Sequence, residues 1–475
     1  MKQEESSKAT QIDQVKIDSE LFFKISNVDQ MRPFFMSIVS DSNHWMFIGS
    51  NGGLSAGRRD AENALFPYYT DDKIMESVEF TGSKTIFRIL KASHSHVWEP
   101  FSIRYSDNYK LSRNLYKNQL GNKVLFEEIN HDLGLTFRYE WNSSDTYGFI
   151  KKSTLINHGA ETTKITFLDG IQNVMPYGVG SGLQNQRSNL VDAYKRSELD
   201  AASGIGIFAL SAIIVDKAEP SEALKANIAW STGVENPKHL LSSSQLEKFR
   251  EGAEIVEERD VRAERGAYFI SQVVTLSSQN QKEWWIIADV NQNVAAVTEL
   301  SESIQYKSNL QEEISSDIEH GSEKLRKLNA GADGLQLTQD SVRDTRHFAN
   351  SLFNIMRGGI FDNNYNIDKA DFINYLSRAN KNVLKSCNTV IEQLPIKFSL
   401  SQLKSTVEKN DNKIFRRLSL EYMPLKFSRR HGDPSRPWNQ FRINTHTEEG
   451  SKILDYEGNW RDIFQNWEAL AHSYP

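Results

Sequence analysis

The chain has a single cysteine, Cys387, in 475 residues. It can form no internal disulfide, and so thiol-poor a composition fits a reducing compartment. Long hydrophobic runs are equally scarce. The longest, Ile205 to Val215, is broken by Gly206 and Ser211 and falls far short of the ~20 residues that cross a bilayer. The stretch from Met1 to Gln14 is polar and lacks the apolar core of a secretory signal. Basic tracts are missing too: 56 Lys and Arg face 62 Asp and Glu, for a net charge of −6. That balance argues against a general nucleic-acid binder. The expectation is a cytoplasmic protein with neither membrane nor nucleic acid as partner.

Aromatic residues, in contrast, are plentiful. The 25 Phe, 16 Tyr and 9 Trp can bury a sizeable core, and the length implies about two or three domains. Before residue 300, short runs rich in β-branched and aromatic residues alternate with turn signals. Thr85-Ile86-Phe87-Arg88-Ile89-Leu90, Leu135 to Trp141 and Glu283 to Val290 are examples. Such spacing predicts a large antiparallel β-sandwich over 1–300, with long sheets. Over 301–335 the period turns helical: Leu310, Ile314, Ile318, Leu325 and Leu328 mark a polar linker helix packed on one side. A helical domain follows over 336–475. One helix runs from near Thr338 to Gly358-Gly359, and another from near Asp368 through Ile391 to Pro395. Shorter ones cover Gln402 to Lys409 and Lys413 to Leu420. Residues 426–456 read as a long polar loop. Asn459 to Ala471 reads as an amphipathic helix with Trp460, Ile463, Phe464, Trp467 and Leu470 as its stripe. That stripe demands covering partners, so the helical domain is expected to continue in a longer protein. The fold class is therefore α+β and multidomain.

Chemistry concentrates late in the chain. Arg461 and Gln465 lie one helical turn apart, as do Asp462 and Asn466. Together they supply donors and acceptors suited to vicinal sugar hydroxyls, and Trp460 offers a flat face for a pyranose. The same residues also read as a surface helix with an internal Arg–Asp pair. The loop Ser428 to Asn439 gathers Arg429, Arg430, His431 and Arg436, which either clamp an anion or pair with acidic neighbours. Asn51 to Asp60 is glycine-rich but lacks the ending and setting of a phosphate loop. Asp362, Asn364, Asn366 and Asp368 mimic a calcium loop, yet Ile367 stands where Gly is needed and Ile373 where Glu belongs. His94 and His96 share a strand face without an evident third ligand. No metal is expected.

Trp460-Arg461-Asp462-Ile463-Phe464-Gln465-Asn466 resembles the aromatic-Arg-Asp-x-x-Gln-Asp segment of inverting glycoside phosphorylases of the cellobiose phosphorylase type. Leu168 to Gly178 looks like a sandwich strand and turn of those proteins, and Asn51 to Arg59 is a weaker match. The resemblance implies a β-sandwich, a helical linker and an (α/α)6 barrel, of which 336–475 is the start. It implies phosphorolysis of a β-linked glucan-type oligosaccharide, with Trp460, Arg461, Asp462, Gln465 and Asn466 at the sugar subsite. Asn466 departs from the family's Asp. Inorganic phosphate would be a co-substrate, with Arg436, Arg442 and His431 as contacts by residue type. No organic cofactor is implied, and a homodimer is. The family's general acid has no counterpart before Pro475. Two rival readings stay open: a hydrolase on the same barrel, needing opposed carboxyls ~6.5–9.5 Å apart, and a non-catalytic sugar-binding or scaffold protein.

Overall fold

The computed structural model describes residues 10–91, 94–214, 223–429, 432–436, 441–447, 450–458 and 463–474. The chain divides into two units, Met1–Lys324 with Asp433–Asn439, and Leu325–Gly432 with Gln440–Pro475.

The first unit is built on antiparallel sheets. In spatial order, the largest runs Gln11–Ile17, Glu20–Ser26, Leu111–Asn118, Val124–Asn130, Leu135–Ser144, Gly148–Asn157, Gln281–Asn293, Lys225–Thr232, Ile205–Leu210, Lys195–Asp200, Asp260–Arg262. A second runs Lys238–Leu240, Gly266–Leu276, Thr163–Val174, Gly82–Lys91, His94–Trp98. A third, smaller one pairs Phe35–Ile38, His44–Gly49, Leu54–Arg58 and Ala64–Phe66. Residues from all three share one core, including Phe66, Phe87, Phe137, Trp141 and Trp284. Alternation explains the strand Gln281–Asn293. Trp284, Ile286 and Ala288 enter that core, while Trp285 and Ile287 point the other way. The outward set is covered by Leu310, Ile314 and Ile318 of the helix Leu310–Ala330, the stripe expected of the linker. Both faces of this strand are dry, so it reads as a continuous apolar run.

One carboxylate ties the two larger sheets together. Asp169, on Thr163–Val174, is fully buried. It accepts from Thr85 Oγ1 at 2.5 Å on its own sheet, and from Lys151 Nζ at 2.5 Å, Ser153 Oγ at 2.9 Å and Trp284 Nε1 at 2.7 Å on the other. Burial pushes the Lys151 ammonium below its ordinary range, against the pull of Asp169. The glycine-rich hairpin at 51–58 serves packing: a Cβ on Gly53 would sit 1.9 Å from the Ile74 carbonyl oxygen. The helix Ser181–Tyr194 forms inside the span expected to be a β-sandwich, and the helix Val294–Tyr306 begins before the linker expected from 301.

After the end of the helix Leu310–Ala330, the second unit continues with the helix Ser341–Gly358. Asp340 caps it by accepting from Arg343 N, and it stops at Gly359, whose φ is 80°. Next, Ile360–Phe361 pairs with Leu425–Lys426. This two-residue stem closes off a small module. Inside it Asn366–Asp368 pairs with Lys397–Ser399, and the helices Lys369–Ala379, Lys381–Ser386, Asn388–Glu392, Leu400–Glu408 and Lys413–Glu421 surround Phe372, Leu376, Cys387, Phe398, Leu403 and Phe415. The single helix expected from Asp368 to Ile391 is thus three. Asn380 (φ −162°, ψ 99°) leaves the helical region, and its side chain caps the next segment by accepting from Asn382 N and Val383 N. Asp362, first of the calcium-like positions, is held by Lys426 at 3.2 Å and Lys452 at 3.0 Å. No described helix is long and apolar enough to cross a membrane.

Asp169→Ala would strand Lys151 in the core. It should cost about 3–5 kcal/mol in denaturant unfolding, and Lys151→Met with Asp169→Leu should recover most of that loss.

Candidate functional site

The terminal segment docks on the helix Ser341–Gly358 through a glycine. A Cβ on Gly358 would lie 1.9 Å from Asn466 O and 3.0 Å from Trp467 Cδ1, so only Gly admits this approach. Asn354 Nδ2 donates to Glu468 Oε2 at 3.1 Å, fastening the next turn. The helix expected over Asn459 to Ala471 is two short ones, Ile463–Asn466 and Glu468–Ser473, separated at Trp467 (φ −94°, ψ 6°). Phe464, placed on the apolar stripe by its spacing, is 92% exposed.

Of the expected sugar-binding residues, Trp460, Arg461 and Asp462 lie outside the described residues. Gln465 is exposed and Asn466 buried, so these two do not share one surface. Asn466 Nδ2 donates to the Tyr456 hydroxyl at 3.1 Å, and its buried Oδ1 has no hydrogen-bond partner among the described residues. Tyr456 meets Trp467 edge-on at 5.5 Å. Among the phosphate candidates, His431 lies outside the described residues. Arg436 and Arg442 are both exposed, the first in the sandwich unit and the second in the helical unit.

The helical unit holds a cleft of about 440 Å³ that the sequence reading did not single out. One wall is the helix Lys369–Ala379, which contributes Asp371, Tyr375 and Arg378. Facing them are Tyr422, just past the helix Lys413–Glu421, and Leu454, Asp455 and Tyr456. The Tyr422 hydroxyl donates to Asp371 Oδ2 at 2.5 Å. Burial first, then that bond, drives the Tyr422 phenol far above its ordinary value. The Tyr375 hydroxyl donates to Leu418 O at 3.1 Å, and burial, aided by Glu421, raises it too. Asp455 stays open to solvent on one side. Burial on the other raises its carboxyl, Asp371 adds to the rise, and Arg378 opposes it. Three phenol rings, a guanidinium and carboxyl groups make a lining that suits a ligand bearing several hydroxyls. The signal was available: Asp371, Tyr375 and Arg378 fall at i, i+4 and i+7, one face of one helix.

Residues 361–424 match the family model described as glycoside hydrolase family 149 insertion domain 1. The matched span begins and ends at the two-residue stem, so the module that the stem closes is the module the family model delimits. No curated protein matches the chain. Among solved structures, a bacterial glucoamylase complexed with acarbose is 9% identical, with 77% of this chain and 52% of that one covered at a TM-score of 0.33. A human-microbiome protein provisionally described as a kojibiose phosphorylase is 8% identical, with 92% and 53% covered at a TM-score of 0.35. A 4-alpha-glucanotransferase from Thermococcus litoralis is 10% identical, with 59% and 41% covered at a TM-score of 0.24. The chain spans about half the length of the first two.

The raised Asp455 carboxyl sets a pH test. The folded chain holds this proton to higher pH than the unfolded chain, whose carboxyl titrates near 3.8. Its stabilising contribution is full below that value and is lost as pH rises through the raised folded pKa. Stability of the wild type relative to Asp455→Asn should therefore decline as pH climbs above 3.8. Urea titrations of both proteins across the acid range check this; a difference independent of pH would remove Asp455 as a perturbed group.

Proposed function

We propose that this chain belongs to a carbohydrate-active protein whose whole form phosphorolyses β-linked, glucan-type oligosaccharides. The observation that carries the reading is the match of 361–424 to an insertion domain of a glycoside hydrolase family, set between the helix Ser341–Gly358 and the terminal segment. On this reading that helix and the segment 463–474 belong to the (α/α)6-type domain that the module interrupts. Trp460 offers its ring to the sugar, and Arg461, Asp462 and Gln465 hold its hydroxyls. Asn466, buried against Tyr456, serves the shape of the subsite and leaves proton transfer to another group. Arg436, Arg442 and His431 are the candidates for phosphate, which enters as co-substrate without an organic cofactor. The active form is a homodimer.

Incubating the whole protein with β-linked gluco-oligosaccharides, with and without inorganic phosphate, tests this. Sugar 1-phosphate formed only with phosphate is the expected outcome. Reducing sugar released without phosphate would make the protein a hydrolase, and saturable binding without either product would make it a sugar-binding protein. Arg461→Ala should weaken sugar binding by about 1.5–3 kcal/mol, the typical contribution of a hydrogen bond to a charged group. Unchanged affinity in the folded variant would exclude Arg461 from the site.

A further inference from the structure

The sandwich unit carries a cleft of its own, of about 340 Å³, beside the end of the strand Thr163–Val174. At Asn173 this strand departs from regular pairing: the register with Gly266–Leu276 shifts between Gln172 and Val174, and Asn173 adopts φ 59°. Bulges of this kind re-aim a side chain, and a left-handed conformation away from glycine costs on the order of 1 kcal/mol or more. The re-aimed group is a carboxamide on the cleft wall, and the residue is only 2% exposed. Asn173 Nδ2 donates to Thr81 Oγ1 at 2.9 Å, and its buried Oδ1 has no hydrogen-bond partner among the described residues. An open acceptor of this kind calls for a donor.

The rest of the lining narrows the ligand. Phe80 is 49% exposed at the cleft, a free aromatic face. Gln172, Ser243 and Ser244 add neutral donors and acceptors, and Ser243 Oγ donates to Gln172 Oε1 at 3.4 Å. The charged groups around the cleft pair with one another or with neighbours. Arg250 grips Glu99 at 2.7 and 3.0 Å and Glu247 at 2.9 Å. Arg104 meets Glu247 at 3.3 Å, Arg265 meets Asp192 at 3.3 Å, and Glu79 meets Lys84 at 2.7 Å. Paired charges leave little field to attract an ion. An aromatic face, neutral hydrogen-bonding groups and an open acceptor together fit a neutral sugar ring, stacked by one face and held by its hydroxyls.

We infer that the cleft at Phe80 and Asn173 is a binding subsite for a neutral saccharide on the β-sandwich, separate from any sugar contact made by the late helix. The site is read from its own lining; only the choice of gluco-oligosaccharide probes rests on the proposed function. The test is calorimetric titration of the chain with cellotetraose and laminaritetraose. Saturable binding of either is expected, and Phe80→Ala, which alters an exposed side chain, should weaken it roughly tenfold, or about 1.4 kcal/mol. Asn173→Gly, which tolerates the left-handed backbone, should weaken it similarly. Arg461→Ala should leave the Phe80-dependent component in place, so that a failed catalytic reading and a failed subsite give different results. Absence of binding by the wild-type chain, or equal affinity of both cleft variants and wild type, would overturn the subsite.

Discussion

The Asp169 carboxylate is the constraint on which the sandwich depends. It sits where the two larger sheets face one another, fully removed from water, with donors arriving from both. Moving a carboxylate and an ammonium out of water is expensive, and only close pairing with filled hydrogen bonds offsets the cost. That requirement fixes the position of one sheet over the other more tightly than apolar contact does, because a slip of one residue would reverse the side chains at Lys151, Ser153 and Trp284. The stacking of Trp284 on Phe167, at 4.5 Å and 17°, relies on the same registration. Glu128 follows the same pattern nearby, receiving Trp98 Nε1, Phe101 N and Arg113 Nε at 2.7 to 2.8 Å.

The helical unit is organised around a different constraint, the closure of an inserted module by very few residues. Two residue pairs form its stem, and Asp362 at the base binds both Lys426 and Lys452. Within the module a conventional apolar core does the rest. Gly358, at the end of the preceding helix, lets the terminal segment come to backbone contact. The cleft containing Asp371, Arg378 and Asp455 lies where the module meets the segment 454–456, so its shape depends on the insertion being present.

Local patterns were legible and long-range ones were not. Alternation revealed the strands around Phe87, Phe137 and Trp284, and the stripe Leu310, Ile314, Ile318 revealed the helix that covers the sandwich. The Gly358-Gly359 pair marked a true helix end. In contrast, a stem of two residues carries no periodicity, so the module was read as the start of a continuous helical domain. Asn380 was read as one more helical residue because its capping bonds to Asn382 and Val383 are matters of backbone conformation rather than composition. The helix Ser181–Tyr194 carries little apolar periodicity, because its sequence is polar and rich in Ser, Asn and Gln, with only Gln184 and Val191 buried. At the late site, Gln465 and Asn466 are consecutive residues about 100° apart around their helix, so one faces solvent while the other is buried.

Several buried carboxylates and carboxamides of the interior differ in how fully their oxygens are satisfied. Buried carboxylates such as Asp169, Glu99 and Glu128 each collect several donors. Buried carboxamides tolerate more slack: among the described residues, Asn142, Asn173 and Asn466 each keep an oxygen without a partner. The asymmetry follows from cost, since an unpaired neutral amide loses about 1–3 kcal/mol and an unpaired charge far more. On the proposed saccharide reading an amide can stay open between binding events, whereas an unpaired carboxylate would neutralise itself or disrupt the fold. Asn173 fits that logic, because the backbone bulge that strains its φ also places its carboxamide on the wall of a cleft.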